Sequence, residues 1–550
     1  MKFIKYFPKQ LLALSVVLFG SSCSLFDLDN TDPNSPSAAA PDLLLAQIES
    51  NIANEFADQE TTVETFMGLV GTQKTSRYEL NDASFNDFWF DMYTGPIKDL
   101  DNLIAATGTN PGYLGIAQIL KAYTFSTMVD LFGDVPFSQA GKADAATPNK
   151  TPAFDKDSDI YAECIKLIDA GIANVGKNAV TINGDIIYNG SPAKWAALGR
   201  TLKLRMLISG RLGITDANKK IQDAIKAGGF ITSADDFQFQ FSKNPVSILH
   251  PWYTGAYSGG EFDGSYINNQ LITDMLVDKD PRFPFYFKRQ TVKILNPNDP
   301  TEKGTINPGY IPLRDVAYWE SILGKPKADF KKADTLFVAG LVGRERGDAT
   351  GIPADGSLRI LPGVYPCGGF YDVAITAAAI PAANKAPSGG IFPMITSVNS
   401  LYYQIEGILI AGAAGDAKKL FEQAVKDHIS KVVNFGSATD AVNVVRPSAA
   451  AVDAYVAKWV ARYDAAPDNN AKLDVAMKQA WYSSFGGGGF DLFNSFRRTG
   501  YPSTLQEPLT KTSRNFPLRY PYPQNEISLN PSAKAYESVV YDKTPIFWDK

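Results

Sequence analysis

FPMITSVNSLYYQIEGILIAGAAGDAKKLFEQAV, residues 392–425, decides the fold. Leu401, Ile405 and Ile408 recur at spacings of four and three, the period of one helix face. Gly415 and Asp416 interrupt the run, and Phe421, Val425 and His428 form a second stripe. Two helices joined by so short a break lie antiparallel, so the spacing predicts a helical hairpin over 399–432.

The same period extends through the chain. Leu44, Ile48 and Ile52 mark a helix opening near residue 43, and Ile119, Tyr123 and Met128 mark another over 115–132. In SPAKWAALGRTLKLRMLISGRL (191–212), Ser191 is placed to cap the open amides and Pro192 fits the first helical position. Trp195, Leu198, Leu202 and Met206 then share one face, while Arg200, Lys203 and Arg211 lie elsewhere. Repeated hairpins predict a mainly α body of tetratricopeptide type, although no fixed repeat of about 34 residues is present. Long stretches of another character, 230–395 and 485–550, carry most of the prolines and many aromatics. FQFQF (237–241) alternates as a short strand does; the rest reads as loops, and long loops on a rigid frame serve as binding surfaces or partner contacts.

The N-terminus places this body. Lys2, Lys5 and Lys9 precede an apolar run from Leu11 to Phe19, and Gly20, Ser21 and Ser22 lead into Cys23. The run is too short to span a bilayer, which takes about 20 residues, and its layout is that of an export signal. It is similar to a bacterial lipoprotein signal, which implies cleavage after residue 22 and acyl chains on Cys23; an ordinary secretory signal is the alternative. Residues 23–42, rich in Asp, Asn, Ser and Pro, read as a spacer, and 43–550 as one body.

Composition narrows the function classes. A net charge of −5 without clustered Lys and Arg argues against nucleic acid. Cys164 and Cys367 have no metal-ligand spacing; Cys164 falls on a helical stripe with Ile160 and Leu167 and reads as core, with a Cys164–Cys367 disulfide as the alternative. No motif requires a cofactor. There are only two histidines, and His428 lies on an apolar face, so nucleophilic or metal chemistry would rest on His250 almost alone. A glycosidase needs only two carboxylates at the right separation, which spacing in sequence does not test.

Four segments in order carry a resemblance over nearly the whole chain: KAYTFSTMVDLFGDVPFSQA (121–140), DKDPRFPFY (278–286), residues 392–425, and FNSFRRTGYP with NFPLRYPYPQNEISLN (493–502, 515–530). Together they resemble the SusD/RagB family of nutrient-binding outer-membrane lipoproteins. Each also reads physically. Gly133 and Pro136 stop a helix ending near Phe132. Arg497, Arg498, Arg514 and Arg519, amid Tyr501, Tyr520, Tyr522 and Glu526, predict a stacked Arg–aromatic–Glu cluster that locks the tail, with a phosphate site as the sharper alternative. Gly407 departs from the Ala-Glu-Ala run common in the family and bears on how tightly this helix packs.

The resemblance implies capture of oligosaccharide, or of peptide in some branches, by a lid on a TonB-dependent outer-membrane transporter facing the cell surface. It also implies aromatic rings that stack on sugar C–H faces beside polar groups that bind hydroxyls. Trp89 and Tyr93, four apart at the front of a helix, read as core. Trp252, Tyr253 and Tyr257 lie in a Gly- and Pro-bearing stretch read as a loop, where burial is hard to arrange, and are the leading candidates. Tyr78, Tyr266, Tyr310, Trp319 and Tyr371 stand in comparable settings, with Asn268, Asn269 and Arg77 as polar companions.

Overall fold

The computed structural model describes residues 40–71, 75–107, 110–142, 149–177, 181–242, 248–257, 266–289, 343–347, 360–372, 389–436, 446–510 and 512–549. Cys23, the signal, Tyr310 and Trp319 lie outside the described residues. In chain order the elements are α1 (Pro41–Phe66), β1 (Val70–Gly71), α2 (Asn86–Thr94), α3 (Pro96–Ala106), α4 (Pro111–Phe132), α5 (Asp157–Val175), α6 (Pro192–Ser209) and α7 (Ala217–Ala227). They continue with β2 (Phe237–Gln240), α8 (Pro251–Tyr257), β3 (Tyr266–Ile267), α9 (Asn269–Asp278), α10 (Phe283–Tyr286), β4 (Phe287–Lys288), β5 (Leu361–Pro362) and β6 (Ile391–Ile395). The last are α11 (Ser397–Leu409), α12 (Ala417–Val433), α13 (Ala449–Ala465), α14 (Asn469–Ser483), α15 (Gly489–Thr499) and α16 (Gln524–Leu529).

Successive helices pack as hairpins, α4 on α5, α5 on α6 and α6 on α7, then α11 on α12, α12 on α13 and α13 on α14, while α11 also packs on α6 and joins the two sets. The predicted hairpin is therefore α11–α12. Thr396 closes a capping box with Asn399, and the Asp416 side chain accepts from the Lys419 amide to start the second helix. Pro192 opens α6 as expected. Ser191 occupies the cap position, but its hydroxyl makes no cap bond, because the neighbouring turn is held by Asp185, which takes amide hydrogens from Tyr188 and Gly190 and the Trp195 indole hydrogen.

α4 is buried nearly all round and forms the centre of the body. It meets α5 closely because Gly115 and Gly171 face each other: a Cβ on Gly115 would lie 2.7 Å from the Gly171 carbonyl oxygen, and one on Gly171 would lie 2.8 Å from the Gly115 oxygen. Gly133, at φ +80°, ends α4 as expected. Gly407 has a comparable packing role on α11, where a Cβ would come within 2.4 Å of Ile225 Cδ1 and 2.9 Å of Ile221 Cγ2 on α7. The departure from the family motif thus lets α7 approach. Cys164 is buried in this core, and no disulfide joins it to Cys367.

Buried ions tie the C-terminal segments to the hairpins. Arg205 on α6 reaches Asp491 on α15 at 2.5 Å and Asp130 on α4 at 3.6 Å. Arg498 pairs with Glu406; within the tail itself, the partly exposed Arg514 pairs with Asp542 and Arg519 lies over the Tyr522 ring at 4.8 Å. The Arg–aromatic clamp of the tail is present, but Glu526 is not its acid. Glu526 instead accepts from Trp89 Nε1 at 3.2 Å and Asn530 Nδ2 at 2.7 Å, since the tail lays α16 against α2. Among the described residues there are three two-stranded antiparallel pairs, β1–β3, β2–β6 and β4–β5, the second containing the first four residues of the expected FQFQF strand.

Candidate ligand-binding face

The predicted site residues fall at the end of α1, around the β1–β3 pair, and beside β5. Gly71 pairs with Tyr266 and Val70 with Ile267, and Asn268 bridges Arg344. Asn268 is buried and caps α9, its Oδ1 accepting from the Gln270 amide at 2.7 Å. Asn269 accepts from the Gly343 amide at 2.9 Å and donates to Glu345 at 3.2 Å. The Arg344 guanidinium covers the Tyr266 ring at 4.5 Å. Arg346 donates to the Tyr78 hydroxyl at 2.6 Å and to the carbonyls of Phe66 and Gln506, and burial lowers its pKa. Tyr78 sits at φ +63°, costly for a bulky side chain, and its carbonyl accepts from the Tyr541 hydroxyl at 2.7 Å.

The run GRERG (343–347) therefore works by alternation: Arg344 lies on Tyr266, Glu345 bonds Asn269 and Gln506, and Arg346 grips Tyr78. These residues were missed in sequence. A period of two between flanking glycines was the available signal.

Trp252, Tyr253 and Tyr257 stand on a helix, α8, rather than in a loop. Pro251 supplies the fixed φ that starts it, and the turn carries Trp252 inward. Trp252 is 6% exposed, donates from Nε1 to Thr61 at 3.2 Å and packs on Phe485. Tyr371 is buried, with its hydroxyl donating to the Phe435 carbonyl at 3.3 Å. Tyr253 and Tyr257 lie four apart, their ring centroids 5.3 Å apart, and Tyr257 donates to the Pro362 carbonyl at 2.5 Å. Among the described predicted aromatics, these two alone keep partial exposure; Tyr78, Trp252, Tyr266 and Tyr371 are packed by the chain itself. Arg77 is partly exposed and pairs with Glu79 at 3.2 Å.

A family model described as starch-binding, associating with outer membrane, matches residues 33–315. The chain belongs to this SusD-like family. SusD-like structures also share the fold over nearly their full length. A SusD homologue from Bacteroides fragilis is 17% identical with a TM-score of 0.67, covering 93% of this chain and 99% of its own. A chitin-binding protein is 18% identical with a TM-score of 0.68, covering 93% and 100%. A chitin-binding SusD homologue from Flavobacterium johnsoniae is 17% identical with a TM-score of 0.66, covering 93% and 98%. No curated protein matches the sequence.

Among the described residues no helix of this SusD-like chain is long and apolar enough to cross a membrane. None of their His, Cys, Asp and Glu side chains gather in threes as a metal site would need. Both histidines are buried, and burial lowers the pKa of each, that of His250 to about 3. His250 Nδ1 accepts from the Trp252 amide at 3.1 Å, and His428 lies 3.0 Å from Arg282.

Proposed function

We propose that this chain captures oligosaccharide at the cell surface and passes it to a TonB-dependent outer-membrane transporter, held in place by lipid on Cys23. The observation that carries this reading is the family match, whose description is starch-binding and outer-membrane associated. Its fold likeness to chitin-binding proteins over 93% of the chain supports a glycan as ligand. The partly exposed Tyr253–Tyr257 pair, anchored by the Tyr257 hydroxyl on the Pro362 carbonyl, offers ring faces. A preformed aromatic edge on a rigid frame suits sugars, which bind through C–H faces and hydroxyls with little rearrangement.

The test is extraction of the full chain from outer membranes in mild detergent, followed by incubation with maltoheptaose and chitohexaose. The proposal expects a co-purifying β-barrel transporter, retained sugar and no shortened product. A shortened product would make the chain a hydrolase, and a barrel-free preparation would remove the transfer step.

A further inference from the structure

On the side where α2 meets the tail, an open cleft of about 540 Å³ runs between α2, the turn after α4, and α16. Phe90 and Leu529 both line it, one from each of the two helices, and they are 63% and 76% exposed. Among the exposed large hydrophobic residues of the described chain, Phe90 is the only aromatic. Trp89 and Tyr93 line the same cleft with their ring centroids 5.0 Å apart.

The walls are fixed independently of any ligand. The Tyr93 hydroxyl donates to the Pro136 carbonyl at 2.8 Å, joining α2 to the turn after α4. Asn86 accepts from the Asn525 amide at 2.9 Å, joining α2 to α16. Asn530 donates to the Pro152 carbonyl at 2.9 Å, and Asn149 donates to Gln139 at 2.8 Å, which closes the remaining side. Three distant stretches of chain thus build one preformed hollow.

We infer that this cleft is a saccharide subsite, sharing no lining residue with the Tyr253–Tyr257 edge; the inference rests on the proposed reading of the chain as a glycan binder. Its volume falls within the ~300–1,000 Å³ of small-ligand sites, and its aromatic floor with a few convergent amides is their usual chemistry. A pyranose ring lays its C–H face on Phe90, while Asn86, Asn525 and Lys150 meet its hydroxyls from the rim. A protein partner fits less well, because Lys98, Lys142 and Lys150 all line the hollow and lysine is depleted from protein-interface cores.

The experiment is calorimetric titration of the detergent-solubilised full chain with maltoheptaose and chitohexaose, on wild type, Phe90→Ala and Asn525→Ala, each with a thermal melt. Phe90→Ala is expected to weaken at least one sugar about tenfold or more, as for a contact ring, with melting unchanged because the ring is mostly exposed. Should Phe90→Ala lower the melting temperature, the exposed Asn525→Ala decides in its place, and a weaker sugar affinity is again the expected result. Wild-type affinity in the folded variants would overturn the subsite and leave glycan capture standing. A wild type that binds neither sugar would overturn both. Loss of a co-purifying transporter with sugar affinity intact would make the hollow a protein contact and overturn the subsite.

Discussion

Arg498 holds Glu406 by two parallel hydrogen bonds, Nε to Oε1 at 2.7 Å and Nη2 to Oε2 at 2.6 Å, with both side chains almost fully buried. The pair joins α15 to α11, so the C-terminal segment is clamped on the hairpin that defines the fold. Arg211 reaches the same carboxylate at 3.7 Å.

Breaking one side of this pair leaves a buried charge unmatched. Glu406→Ala is expected to cost about 3–5 kcal/mol, measured by denaturant unfolding. Replacing both partners together, as Glu406→Leu with Arg498→Met, is expected to cost far less, since desolvation of two ions is removed with their attraction. Equal losses in the single and double variants would contradict the clamp.

Glu60 and Glu64, one turn apart on α1, accept from the amides of Gly489 and Gly486 in the FGGGG turn, the latter bond at 2.6 Å. Burial raises both pKa values, that of Glu60 to about 8. The folded state therefore holds protons that the unfolded chain releases above its ordinary value of about 4.5. This contribution to stability is complete below that value and falls as pH rises from about 4.5 towards 8. Melting temperatures between pH 5 and pH 9 should decline, and Glu60→Gln should decline less steeply than wild type; parallel curves would refute the assignment.

Trp252 and Tyr253 are neighbours with opposite expected behaviour. Trp252→Ala removes a buried ring and is expected to cost about 3–5 kcal/mol of stability. Tyr253→Ala, partly exposed at the candidate edge, is expected to leave melting nearly unchanged and to weaken glycan binding by about 1–3 kcal/mol. Unfolding and titration of the two variants separate frame from face.

Gly407→Ala tests the close approach of α7. A new methyl would push on Ile225 and Ile221, a cost of about 1–3 kcal/mol, against a gain in helix propensity of about 1 kcal/mol. Net destabilisation is expected, and Ile225→Val in the same chain should restore part of it. A stabilised Gly407→Ala would show that α7 yields freely.

Cys23→Ala should move the protein from the membrane to the soluble fraction in cell fractionation, because several acyl chains anchor firmly where none does. Absence of acyl chains from the wild-type N-terminal peptide, read by mass spectrometry, would contradict lipid attachment at Cys23.

Local chemistry was legible in the sequence, and distant pairing was not. The stripes at Leu401, Ile405 and Phe421, the break at Asp416 and the stop at Gly133 are read within a few residues, and the structure follows them. Nearness in sequence assigns Glu526 to the arginines, yet its long-range bond is to Trp89, 437 residues away. Trp252 looked exposed among glycines and prolines, but Pro251 starts a short helix and turns the indole towards Thr61 on α1. Phe90 carried no signal, because its helix stripe identifies Trp89 and says nothing of the tail that forms the opposite wall of the cleft.

Equilibrium titration of the full chain with maltoheptaose and chitohexaose measures glycan capture itself. Saturable binding of at least one sugar is expected, with the oligosaccharide recovered at its original length. A folded chain that binds neither sugar, or one that returns shorter products, would contradict it.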